Sequence, residues 1–168
     1  MRKVGAMICV LLCIAMLCAC GRQAPEYAQP AKFFYCNKEI SYNSPNGVIS
    51  SEIREAKDCN GNVEIYLQSY LNGPESNHLY LLIPSGTKLL SSEIRDTTIH
   101  LSFSKELAQL SGVELTTAGA CLMLSLHEFS GIDTLILTAE GELMDEKEAF
   151  TISMEDIVTM DTVTDMKQ

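Results

Sequence analysis

Residues 113–129 constrain the fold of this 168-residue chain more than any other stretch. Leu115, Ala118, Leu122, Leu126 and Phe129 recur there at spacings of three and four, so one face of a helix is apolar along its length and must be buried against a partner. Gly119, beside Ala118, leaves room for a close neighbour, and Ser130-Gly131 ends the helix. Two alternating segments precede it, 87–94 and 97–103, joined by Arg95-Asp96 as a tight hairpin. In the second, Ile99, Leu101 and Phe103 share one side while Thr98, His100 and Ser102 share the other, so His100 reads as an exposed strand residue rather than a catalyst. Ser104 is placed to cap a short helix over 105–110, and His127 falls off the apolar stripe and reads as surface. Residues 134–139 are apolar nearly throughout and predict a central strand.

The preceding part of the chain adds the remaining elements. Residues 32–36 are a short aromatic run that predicts a strand, the turn-prone 43–47 follows, and 48–54 alternates imperfectly through Val48, Ser50 and Ile53. Asn62 is placed to cap a helix over 63–71, with Val63, Tyr66, Leu67 and Tyr70 on one face, and Gly73-Pro74 stops it. Helix, strand, strand, helix, strand behind two earlier strands is an α+β pattern, a small mixed β-sheet with two main helices packed on one face.

The N-terminus speaks about location. Arg2 and Lys3 precede an uncharged apolar run over 4–19, short for a bilayer span and typical of a secretory signal. Leu17-Cys18-Ala19-Cys20 resembles the lipobox of bacterial lipoproteins, which makes Cys20 the expected lipid acceptor and places the protein on the extracytoplasmic face of the cell membrane. The expected organisation is a signal peptide over 1–19, the lipidated Cys20 and a Pro-containing tether over 20–31, a folded domain over 32–158 and an acidic tail over 159–168. The formal charge is −10, and losing Arg2 and Lys3 makes it more negative still, which argues against nucleic acid as a partner. Nine acids and two lysines from 140 onward read as a solvated end, and their spacing does not organise calcium.

Of the seven cysteines, Cys9, Cys13, Cys18 and Cys20 belong to the signal and anchor. Cys36 and Cys59 flank a turn-rich segment, and an exported location permits them to form a disulfide, the alternative being two thiols. Cys121 sits within the helical stripe as a small core residue. No metal-ligand spacing, glycine-rich phosphate cradle or nucleophile set is evident, so no metal, cofactor or enzymatic activity is expected.

Four blocks then carry a resemblance. Leu71-Asn72-Gly73-Pro74, Ile83-Pro84-Ser85-Gly86-Thr87-Lys88-Leu89-Leu90, His100-Leu101-Ser102-Phe103-Ser104-Lys105-Glu106-Leu107 and Ser125-Leu126-His127-Glu128-Phe129-Ser130-Gly131-Ile132 resemble, in that order, the GerMN domain family of sporulation and germination lipoproteins. Ser153 and Asp156 also match the capping box that follows the last strand in that family. The resemblance implies a non-catalytic module similar to ring-building domains, acting by assembly with envelope proteins or with copies of itself. A second reading is a carrier of a small molecule or cell-wall glycan, with a cavity lined by Phe33, Phe34, Tyr66, Tyr70 and Tyr80. Those aromatics fall on strand and helix stripes, which favours core.

Overall fold

The computed structural model describes residues 29–39, 47–56, 59–142, 144 and 147–157. In chain order these form β1 (Pro30–Asn37), β2 (Ile49–Glu55), α1 (Val63–Leu71), β3 (Leu79–Tyr80), β4 (Leu89–Arg95), β5 (Thr98–Phe103), α2 (Gly112–Ser130), β6 (Thr134–Ala139) and β7 (Phe150–Ser153). Short 3-10 turns occupy Lys105–Gln109 and Met154–Asp156. The class is α+β as expected, with the strands divided between two sheets rather than gathered in one. The first, ordered β2-β1-β3, is antiparallel throughout. The second, ordered β4-β5-β6-β7, is mixed, because α2 carries the chain from β5 to a parallel β6.

Local chemistry accounts for the elements. Asn62 Oδ1 accepts from Glu64 N at 2.9 Å and Ile65 N at 3.2 Å, satisfying two orphan donors at the start of α1. Gly131 ends α2 in the left-handed region at φ 69°, where a side chain would be strained. Ser153 and Asp156 form the capping box, with Ser153 N donating to Asp156 Oδ2 at 2.9 Å. Ser104 behaves differently from the expectation. Its hydroxyl accepts from Lys88 N at 2.9 Å, tying the turn after β5 to the start of β4, and the segment behind it is 3-10 rather than α. β3 and β7 were not anticipated, being only two and four residues long.

The sheets separate because α2 occupies the edge of β1 where another strand would lie. β3 pairs with β1 only at Cys36 and Asn37. Further along that edge, Phe34 N donates to Ser125 Oγ at 2.9 Å, and the Ser125 hydroxyl donates in turn to Cys121 O at 2.7 Å. The Tyr66 hydroxyl of α1 donates to Lys32 O at 2.7 Å. Side-chain hydroxyls thus replace ladder partners on an edge that would otherwise be open. α2 also packs against β6 and β7, so one hydrophobic core runs through both sheets. Phe33, Tyr35, Tyr66 and Tyr70 are almost wholly buried in it, with the Phe33 and Tyr66 rings stacked at 4.5 Å and those of Tyr35 and Tyr70 at 4.8 Å.

β2 turns its apolar and charged residues opposite to the alternation read from sequence. Ile53 is 58% exposed and Arg54 is 5% exposed. The Arg54 guanidinium stacks on Phe33 with its carbon 4.1 Å from the ring centroid, and donates to Gly73 O at 2.7 Å, Ser69 O at 2.7 Å and the Tyr35 hydroxyl at 3.0 Å. Two of these acceptors are carbonyls at the C-terminal end of α1, where a cation opposes the negative pole of the helix. Glu52, 3.4 Å from Arg54, also accepts from Glu75 N and Ser76 N. A long planar cation satisfies helix end, phenol and carboxylate together, which no aliphatic residue at 54 would do.

The close approach predicted at Gly119 is made by Phe150 of β7. A Cβ on Gly119 would lie 2.5 Å from Phe150 Cε1 and 3.2 Å from its Cζ. Gly119→Ala is expected to lower stability by about 1–2 kcal/mol, the overpacking cost outweighing the gain in helix propensity. In a Phe150→Ala background the same change is expected to be neutral or stabilising, and urea denaturation of the four proteins of the cycle measures the difference.

Burial also sets an alkaline limit. Desolvation raises the phenols of Tyr35, Tyr66 and Tyr70 well above the ordinary tyrosine value. The neutral phenol is therefore the form that the fold favours. Below about pH 10 folded and unfolded chains both keep these protons, and the full stability is present. Above that the unfolded chain releases them first, so stability falls by up to about 1.4 kcal/mol per pH unit for each tyrosine. Urea midpoints are expected to decline more gently above pH 10 in Tyr66→Phe than in the parent chain.

Candidate interaction surface

The second sheet has one covered and one open side. Ile99, Leu101, Phe103, Leu135, Leu137 and Ile152 point into the core. The opposite alternation leaves Thr98, His100 and Ser102 of β5, Thr134, Ile136 and Thr138 of β6 and Thr151 of β7 on the other side. β4 extends this face with Glu93 across from His100 and Arg95 across from Thr98. His100 is an exposed strand residue, as its alternation implies, with Nε2 3.3 Å from Thr138 Oγ1. Glu93 accepts from Arg95 at 2.7 Å and 3.0 Å, an ion pair so exposed that water screens most of its attraction.

Glu93, Arg95, Thr98, His100 and Ile136 line a shallow recess of about 160 Å³. Sites that bury a small ligand usually enclose about 300–1,000 Å³, so this recess can contact a side chain but not enclose a metabolite. No grouping of His, Cys, Asp and Glu fit for a metal ion occurs among the described residues.

Exposed large apolar groups lie on sheet edges and, at Val113, at the start of α2. On β4, Leu90 is 49% and Ile94 is 47% exposed. Leu90 is the extra residue of a β-bulge, since Leu89 lies opposite Phe103 and Ser91 opposite Ser102. Ile94 lies on the inner side, yet β4 is terminal in the sheet and has a neighbouring strand on one side only. Sequence reasoning placed the strand and missed these edge positions, because Ile94 looks like core until the strand order is known. The adjacent Leu89-Leu90 pair, which breaks the alternation, was the available signal.

The sequence-expected site residues fare differently. Cys20 and the signal peptide lie outside the described residues, as do most of the 20–31 tether and the 159–168 tail. Cys36, Cys59 and Cys121 are buried thiols. Cys36 and Cys59 stand at opposite ends of the β1–β2 pair. Antiparallel register puts Glu55 opposite Pro30 and Ile49 opposite Cys36, and the chain leading to Cys59 leaves from the Pro30 end. Six strand residues, roughly 20 Å, separate that end from Cys36, whereas bridged Cα atoms lie about 4.4–6.8 Å apart. Cys36 instead meets Cys121, Sγ to Sγ 3.7 Å. Of the aromatics that a ligand cavity would have used, Phe33, Tyr66 and Tyr70 are core, Phe34 is half-buried and Tyr80 is exposed.

Solved structures share this architecture. The first GerMN domain of the sporulation protein GerM from Bacillus subtilis is 18% identical with a TM-score of 0.55, the match covering 79% of this chain and 98% of that domain. The tandem GerMN domains of the same protein are 16% identical with a TM-score of 0.57, covering 79% of this chain and 48% of that one, so this chain spans about half of the tandem. At such identities the likeness concerns the fold. No curated protein matches the chain significantly. The family model Germane, described as sporulation and spore germination, matches residues 37–145, well over half of the sequence and all of it from the end of β1 to the loop before β7. This chain therefore belongs to the Germane family of sporulation and spore germination, and its fold is that of a GerMN domain.

Proposed function

We propose that this protein is an envelope lipoprotein, held on the extracytoplasmic face of the cell membrane by lipid on Cys20, whose GerMN-like domain acts in sporulation or germination by docking other proteins. The observation that carries the docking reading is the β4 edge. It is terminal in its sheet, carries Leu90 and Ile94 exposed, and borders a flat Ser- and Thr-rich face. An edge with open backbone groups and apolar side chains suits strand addition or an apolar contact with a protein surface. The Glu93–His100 recess beside it, about 160 Å³, is of a size to take a side chain of a partner.

Crosslinking of the lipidated protein in its own membrane, followed by mass spectrometry, tests this reading. Defined envelope or sporulation proteins are expected, captured from β4 and lost both in Cys20→Ala and in the edge-blocking variant Ile94→Lys. Capture of no protein, together with binding of cell-wall fragments by the Ile94→Lys chain at the parent affinity, would replace docking with glycan binding.

A further inference from the structure

We infer that Cys36 and Cys121 form a disulfide bond in the exported protein, joining β1 to α2. Their sulfurs are already in contact at 3.7 Å, and both side chains are buried, 1% and 2% exposed. A bond of about 2.05 Å needs the sulfurs to approach by less than 2 Å, within the reach of side-chain rotation. The surroundings hold the partners for this closure. Ser125, one turn beyond Cys121 on the same helix, accepts from Phe34 N, two residues before Cys36 on the same strand. Tyr66 fastens to Lys32 two residues further back. These hydrogen bonds hold strand and helix in register without any help from a Cys36–Cys121 bond, and the thiols sit at the end of that row.

The chemistry balances with an external disulfide. The thiol contact with Cys121 keeps the Cys36 thiol below its ordinary range, while that contact and burial raise Cys121. That contact exists only in the closed fold; in the open chain the thiolate of Cys36, the earlier of the two in the sequence, attacks the disulfide of an exported thiol–disulfide oxidoreductase, releasing one of its sulfurs as a thiol and forming a mixed disulfide. Cys121, giving up its proton, then attacks Cys36 Sγ and expels the second sulfur. Two protons and two electrons leave this chain, and the oxidoreductase departs as a dithiol. Since neither sulfur is accessible in the finished fold, the mixed disulfide forms before α2 settles against β1.

This inference rests on the extracytoplasmic location proposed above, and two arms keep the failures apart. The full chain is refolded in detergent with reduced and oxidised glutathione, and separately isolated from its own membrane with its thiols blocked by alkylation on lysis. Both samples are mapped by mass spectrometry without reduction. A peptide pair joining Cys36 to Cys121 is expected in each, retained in Cys59→Ser and absent in Cys36→Ser and in Cys121→Ser. Reduction is expected to lower the urea midpoint of the refolded parent by about 1–2 M, and to leave that of Cys121→Ser unchanged. Alkylated Cys36 and Cys121 in the refolded chain would overturn the inference wherever the protein resides. Lipid on the Cys20 peptide together with alkylated Cys36 and Cys121 in the membrane sample would overturn it and leave the anchor standing. Absence of lipid on Cys20 would remove the anchor, and the refolded sample alone then decides.

Discussion

Replacement of Arg54 by alanine is expected to destabilise the fold by about 3–5 kcal/mol, shifting the folded-to-unfolded ratio by roughly two to four orders of magnitude. The change removes donors from Ser69 O, Gly73 O and the Tyr35 hydroxyl together, and opens a space against the Phe33 ring. Glu52 retains the amides of Glu75 and Ser76, so most of the loss falls on the two carbonyls and the vacated volume. Arg54→Met refills part of the volume without supplying a donor, and is expected to recover about 1–2 kcal/mol of the loss. Chemical denaturation of the three proteins settles the matter. A loss under about 1 kcal/mol in the alanine variant would mean that the buried cation contributes little net stability, its desolvation having cancelled its contacts.

A comparable loss, about 3–5 kcal/mol, is expected for Tyr66→Ala, set against about 1 kcal/mol for Tyr66→Phe. The ring lies between two others, its centroid 4.5 Å from Phe33 and 4.1 Å from Phe129, so its removal leaves a cavity where β1, α1 and α2 meet. The hydroxyl contributes the smaller part, its bond to Lys32 O. Thermal unfolding of the pair separates the two contributions. Equal losses in both variants would show that the hydroxyl, and not the aromatic stack, secures the junction.

How much of this was legible in the sequence follows the range over which each feature is encoded. The α2 stripe, the Asn62 cap, the 95–96 hairpin and the Gly119 approach are written in residues within a turn or two of one another, and each appears where periodicity placed it. Four separated blocks sufficed for the family, because order along the chain survives even when side chains vary. What escaped depends on contacts distant in sequence. Nothing around Arg54 says that it turns inward, since its acceptors lie 15 and 19 residues away on another element. Ser125 looks like an ordinary polar position on a helix until β1 is seen beside it. Cys36 was assigned the nearer cysteine, whereas its neighbour stands 85 positions along the chain. The division into two sheets has the same origin, a helix standing where strand pairing would have continued. The edge residues of the interaction surface escaped because exposure at an edge is a property of strand order, which alternation does not encode.

That substitution of helix for strand has a consequence in time. β2 follows β1 closely, so one side of β1 can be paired soon after it is made. The other side waits for Ser125, 91 residues beyond Phe34, and closes only once that later part of the chain has emerged to fold with it. Throughout that interval a growing chain holds an aromatic strand with one open edge, a template for pairing with any extended segment nearby. Chains truncated before residue 112 never receive α2, and are expected to aggregate through β1 even where their own hairpin has formed.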